Sequence, residues 1–152
     1  MIQETAVHQT KTITRQFPVS RTRLFQAWAN VEARSTWGSP SPEVTLRYDQ
    51  ADFVVGGADD CVCVYEGQDV HRVITRWLDI VENRRLVFSE MMTDLTQTMG
   101  GSLVTVEFFG DDRQSSLVVT LQTVALDGLG LEAGVVEGWT GAMELLAAYL
   151  AG

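Results

Sequence analysis

Glu90 is the side chain in this sequence best placed to do chemistry. Leu86, Phe88, Glu90 and Met92 fall at alternate positions, so a regular strand shows all of them on one face. Leu86 and Phe88 mark that face as the apolar one. A carboxylate on it meets an apolar interior, where desolvation raises its pKa and suits it to general acid or base work. The competing placement is a strand end where Glu90 is either wet or paired with an arginine such as Arg76. His71 could complete an acid–base couple with Glu90, although a rim or surface histidine is its more ordinary role. No other catalytic candidate stands out.

Large apolar side chains make up the rest of the candidate site. Trp37, Trp77, Phe88, Trp139 and Met143, with Glu90, are the residues expected to meet a ligand. Trp and Met serve as adaptable walls of an apolar pocket, and equally as plain core. The chain has no nucleophile motif and no glycine-rich phosphate loop. Cys61 and Cys63 form a C-x-C pair on one face of a strand, too far apart for an easy disulfide. They read as small buried apolar residues. A metal would need two more ligands, and only His8 and His71 are available, so no metal and no cofactor is expected. The Asp59-Asp60 and Asp111-Asp112 pairs read as solvated turn residues.

The elements that must position these residues follow from periodicity and punctuation. Residues 1–10 read as a flexible start, and residues 11–152 as a single domain. A strand over 11–19 leads to Ser20, a good N-cap, and a helix over 21–29. Asn30 caps a second short helix that ends at Gly38, Pro40 and Pro42. Strands follow over 43–49, 52–57, 58–67, 70–81, 86–92, 102–110 and 115–126, joined by short turns. The period then changes. Leu131, Val135, Trp139, Met143, Leu146 and Leu150 make one apolar face of a helix over 131–151. At 1.5 Å per residue such a helix is about 30 Å long, enough to cross a sheet. The layout is α+β: an antiparallel sheet of about six to seven strands, two short helices after the first strand, and one long terminal helix. A twisted sheet wrapped around one helix leaves room for a ligand between them.

Composition narrows the classes. Of 152 residues, 11 are Lys or Arg and 20 are Asp or Glu, giving a net charge of −9. Such a chain repels polyanions, so nucleic acid and anionic membrane surfaces are not expected partners. No run of apolar residues is long enough to span a bilayer, and the N-terminus lacks the basic start and apolar stretch of a signal peptide. The expected location is the cytoplasm. With 45% apolar residues the chain can build a core without disulfides.

Several strings, in order, resemble the SRPBCC (START-like, helix-grip) superfamily, and within it the branch of heat-shock-protein-90 ATPase activator homologues. They are VSRTRLFQAWANVEARSTWG with Phe25 and Trp37, DFVVGG with Asp52, Gly56 and Gly57, and LDIVENRRLVF with Arg85 to Phe88. The hairpin LVTVEFFGDDRQSSLVVTLQ and the helix EGWTGAMELLAAYL with Gly138 and Trp139 complete the set. The resemblance implies a strongly curved sheet gripping the terminal helix. The family often has an aromatic residue where this chain has Glu90, a departure that bears on the cavity. The resemblance does not fix a reaction. The leading expectation is a binding protein for a small apolar or amphipathic ligand. The alternatives are a cyclase- or hydrolase-like enzyme using the same cavity, and a domain that stimulates a chaperone ATPase. A homodimer is compatible with such domains, but no residue argues for one.

Overall fold

The computed structural model describes residues 5–152. Residues 1–4 of the expected flexible start lie outside them. The described part of that start is largely strand, because β1 runs from Val7 to Phe17. Its residues pair one for one with β7, from Val7 opposite Ala125 to Phe17 opposite Ser115. That ladder begins four residues earlier than the alternation alone suggested.

The two short helices form as their caps require. In α1 (Arg21–Ala29) the Ser20 side chain accepts from the Arg23 N–H at 3.1 Å. In α2 (Val31–Trp37) the Asn30 side chain accepts from the Ala33 N–H at 3.0 Å. Each cap meets a backbone donor that the helix itself leaves open. Together α1 and α2 carry the chain from β1 across to β2 at the opposite edge of the sheet.

Beyond them the chain is a meander: β2 (Val44–Gln50), β3 (Ala58–Tyr65), β4 (Gln68–Val81), β5 (Arg85–Thr93), β6 (Thr98–Gly110) and β7 (Ser115–Ala125). The seven strands form one antiparallel sheet in the order β1-β7-β6-β5-β4-β3-β2. Residues 52–57 are not a strand as expected. They make a compact corner in which Gly56 takes φ +85° and the Gly57 N–H donates to the Val54 carbonyl at 2.8 Å. Val54 and Val55 favour strand locally, but the tight turn and its bonds to Trp77 hold the corner closed. Register shifts at Tyr48/Gln50, Cys63/Val64, Trp77/Asp79 and Met92/Thr93 bend the β2–β5 half of the sheet.

Helix α3 (Leu131–Ala151) lies on the concave face and packs closely on β1, β7 and α2. It starts where Asp127 accepts from the Leu129 and Leu131 N–H groups. Along its second half Met143, Leu146 and Leu150 are buried among Leu117, Val119 and Leu121 of β7 and Val104 and Val106 of β6. Full burial of such a side chain contributes about 1.5–3 kcal/mol, so this end of the helix is its anchor. The first half of α3 faces the bent β2–β5 half of the sheet across open space.

Candidate functional site

That space is a cavity of about 940 Å³. One wall comes from β2 to β5 and the other from the first half of α3, with α2 closing one side. The exposed side chains on its rim belong to the connections: Pro40 and Glu43 between α2 and β2, Tyr65 at the β3–β4 hairpin, and Leu129 before α3. The mouth therefore opens at loops, while the walls are regular elements. Gly130, just before α3, and Gly134 and Gly138 within it line the cavity and keep that wall thin. A Cβ added at Gly134 would meet no atom within 4 Å.

Of the residues singled out from the sequence, Trp37, Trp77, Phe88, Glu90 and Trp139 all line this cavity. Met143 does not. It is fully buried in the core one turn further along α3. The aromatic rings form a connected set: Trp139 stacks on Trp28 at 5.8 Å, Phe88 leans on Trp139 at 6.2 Å, and Trp77 meets Phe88 edge-on at 4.9 Å. Trp37 anchors its indole N–H on the Ala27 carbonyl at 2.9 Å.

The Glu90 carboxylate accepts from the Trp139 indole N–H at 3.3 Å. Burial pushes its pKa up to about 7, and the Trp139 hydrogen bond pulls weakly the other way. Arg76 is not its partner, since Arg76 donates to the Gly56 carbonyl at 3.1 Å. His71 also lines the cavity, half-buried, but no hydrogen bond or ion pair joins it to Glu90. The acid–base couple considered from the sequence is thus not assembled.

Cys61 and Cys63 are free thiols facing the same cavity. Burial pushes the Cys61 thiol up to about 12. Cys63 is raised as well, by burial first and by the charge of Glu90 second.

A polar cluster that the sequence reading missed lies deeper. Arg34 Nη2 donates to Asp59 Oδ2 at 2.8 Å, and Arg34 Nη1 donates to the Trp28 carbonyl. Asp59 Oδ1 accepts from the Asp52 N–H at 3.0 Å and from Trp77 Nε1 at 3.3 Å. The guanidinium lies over the rings of Tyr48, Phe53 and Trp77 at 5.4 to 5.7 Å. Asp59 is therefore no solvated turn residue. Asp60 is not one either, being a β3 residue that accepts from Arg72 Nη1 at 2.8 Å. The signal was available: Asp59 shares a strand face with Cys61 and Cys63. Asp111 does take its expected role, accepting from the Arg113 and Gln114 N–H groups in the β6–β7 turn.

Residues 18–151 match the family model for activator of Hsp90 ATPase homolog 1-like proteins. Solved structures agree in fold. A protein from Rhizobium loti is 33% identical, with 96% of this chain and 99% of that one covered at a TM-score of 0.84. A putative uncharacterized protein from Rhizobium leguminosarum is 28% identical, with 97% of each chain covered and a TM-score of 0.87. The AHSA1 protein from Silicibacter pomeroyi shares the fold at 20% identity, with 94% and 98% covered and a TM-score of 0.76. No curated protein matches the chain.

Proposed function

The chain belongs to the activator of Hsp90 ATPase homolog 1-like family with its helix-grip fold, and on that premise we propose that it binds a small apolar or amphipathic molecule between sheet and helix. The single observation that carries this reading is the cavity of about 940 Å³ where α3 stands off the sheet. Pockets for small ligands span roughly 300–1,000 Å³ and combine apolar walls with a few polar groups. Trp37, Trp77, Phe88 and Trp139 supply the walls; Glu90, Tyr48 and Thr75 supply polar points. The site is held open by structure: the C-terminal half of α3 is locked in the core, and the glycines in its first half leave the gap unfilled.

The working place we propose is the cytoplasm. Two free thiols, Cys61 buried and Cys63 half-buried, suit a reducing compartment. Among the described residues no helix is long and apolar enough to cross a membrane.

The test is a neutral probe that fluoresces in apolar surroundings, N-phenyl-1-naphthylamine, titrated into the protein. Binding with a saturable rise in fluorescence is expected. Gly134→Phe projects a ring into the cavity and should weaken binding at least about tenfold while the protein still melts cooperatively. Equal binding by this variant, or no binding by the unmodified protein, would overturn the reading.

A further inference from the structure

The polar groups that face the cavity are unevenly spent. Arg34 is satisfied: Asp59 meets its charge, the Trp28 carbonyl takes a second donor, and aromatic rings cover its faces. Asp127 is committed to the Leu129 and Leu131 N–H groups at the start of α3. Glu90 differs. A carboxylate offers about four acceptor positions, and Glu90 uses one, for the Trp139 N–H. Among the described residues no Lys, Arg or His forms an ion pair with it. Its surroundings are neutral or acidic. Thr75 on β4 and Ser102 on β6 stand opposite it in the ladder, and Ser102 is itself bonded to Thr123 at 2.9 Å. Cys63 on β3 is near enough for the Glu90 charge to raise its pKa. Trp139 covers it from α3. The remaining titratable groups of the lining are His71, Cys61, Tyr48 and Tyr65, with Glu43 at the mouth.

An underused carboxylate beside aromatic rings is complementary to an organic cation. The ring faces attract positive charge through their quadrupoles, and a desolvated site strengthens that attraction. An anion would meet the reverse: Glu90 and Glu43 repel it, and the Arg34 guanidinium of the lining is already paired.

We infer that the ligand class is an amphiphile with a protonated amine on an apolar body, the ammonium seated at Glu90 beside Trp139 and Phe88. This rests on the binding function proposed above and narrows it to a charge type. The amine supplies the counter-charge that Glu90 lacks, and its apolar body takes the rest of the cavity.

Three competitors of one chain length separate the charge types: decylamine, decanol and decanoate, each displacing N-phenyl-1-naphthylamine below its micelle concentration. Near pH 8.5, roughly, Glu90 is ionised and decylamine should displace the probe at about tenfold lower concentration than decanol, with decanoate weakest. Near pH 5.5, roughly, Glu90 is protonated and the preference should shrink to under about threefold. Glu90→Gln is the discriminating variant. It should show the weak preference at both pH values. Glu90→Asp keeps the charge on a shorter arm and should keep part of the preference, which serves if the Gln variant does not fold. A probe displaced equally well by all three, or a decylamine preference that survives Glu90→Gln, overturns the inference and leaves the binding function standing. Failure of the probe to bind at all overturns both.

Discussion

Arg34 and Asp59 form an ion pair at 2.8 Å in which the side chains are only 7% and 3% exposed. The pair ties α2 to β3 and orients Trp77, so it fixes the closed side of the cavity. Two charges so far from water are held by each other and by their hydrogen bonds. Removing one strands the other. Arg34→Met or Asp59→Asn alone should lower unfolding stability by about 3–5 kcal/mol, measured by urea denaturation. The double variant should lose less than the sum, because neither charge is then left unpaired. Additive losses would show that the two residues do not act as a pair.

Glu90 makes stability fall as pH rises. Its folded pKa of about 7 lies above the ordinary value of 4.5, so between the two the folded state holds a proton that the unfolded chain has released. Stability from this group is complete below about pH 4.5 and is lost as pH climbs through about 7. The loss is bounded by about 3 kcal/mol, and water entering the cavity reduces it. Glu90→Gln removes the ionisation and keeps an acceptor for Trp139. It should raise the melting temperature near pH 8 by more than near pH 5. An equal shift at both would place the Glu90 carboxylate in water.

The fold was legible wherever the determinants were local. Ser20 and Asn30 announced their helices by capping, and the apolar period of residues 131–151 gave α3 almost to the residue. Glu90 was found by strand alternation, which needs only its neighbours at two-residue steps. Asp59 was lost because the adjacent Asp60 made a turn seem natural, and its partner Arg34 is 25 positions away. The corner at residues 52–57 was lost for a related reason. Val54 and Val55 have strand propensity, while the bonds from Gly56 to the Trp77 carbonyl and from the Trp77 N–H to the Gly57 carbonyl are tertiary. Met143 shares its helix face with Trp139, yet one turn of α3 separates cavity wall from solid core. The place where the helix leaves the sheet depends on how the whole sheet bends.

Gly141 sets how closely α3 approaches the rim of the cavity. A Cβ there would lie 2.1 Å from the Pro40 carbonyl oxygen, a backbone atom. Gly141→Ala must push the loop after α2 away from the helix. The gain in helix propensity, about 1 kcal/mol, is outweighed, and a net loss of about 1–3 kcal/mol is expected. Gly134→Ala is the control. The same propensity gain there meets no atom within 4 Å, so it should stabilise by up to about 1 kcal/mol. Thermal melts of the two variants should move in opposite directions.

Cys63 reports on Glu90 from two strands away on the same wall of the cavity. The thiolate is the reactive form, and both burial and the Glu90 charge hold Cys63 protonated. Near pH 8, roughly, labelling by a neutral alkylating reagent should therefore be slow in the folded protein, and slower still at Cys61, whose pKa reaches about 12. Glu90→Gln removes the nearby negative charge, lowers the Cys63 pKa and should speed its labelling severalfold, with little change at Cys61. Mass spectrometry of the labelled chain resolves the two sites. A gate on access would speed both cysteines together, whereas an electrostatic link acts on Cys63 first. Acceleration confined to Cys63 therefore identifies a charge at Glu90 that is felt inside the cavity, and an unchanged Cys63 rate would show that solvent screens it.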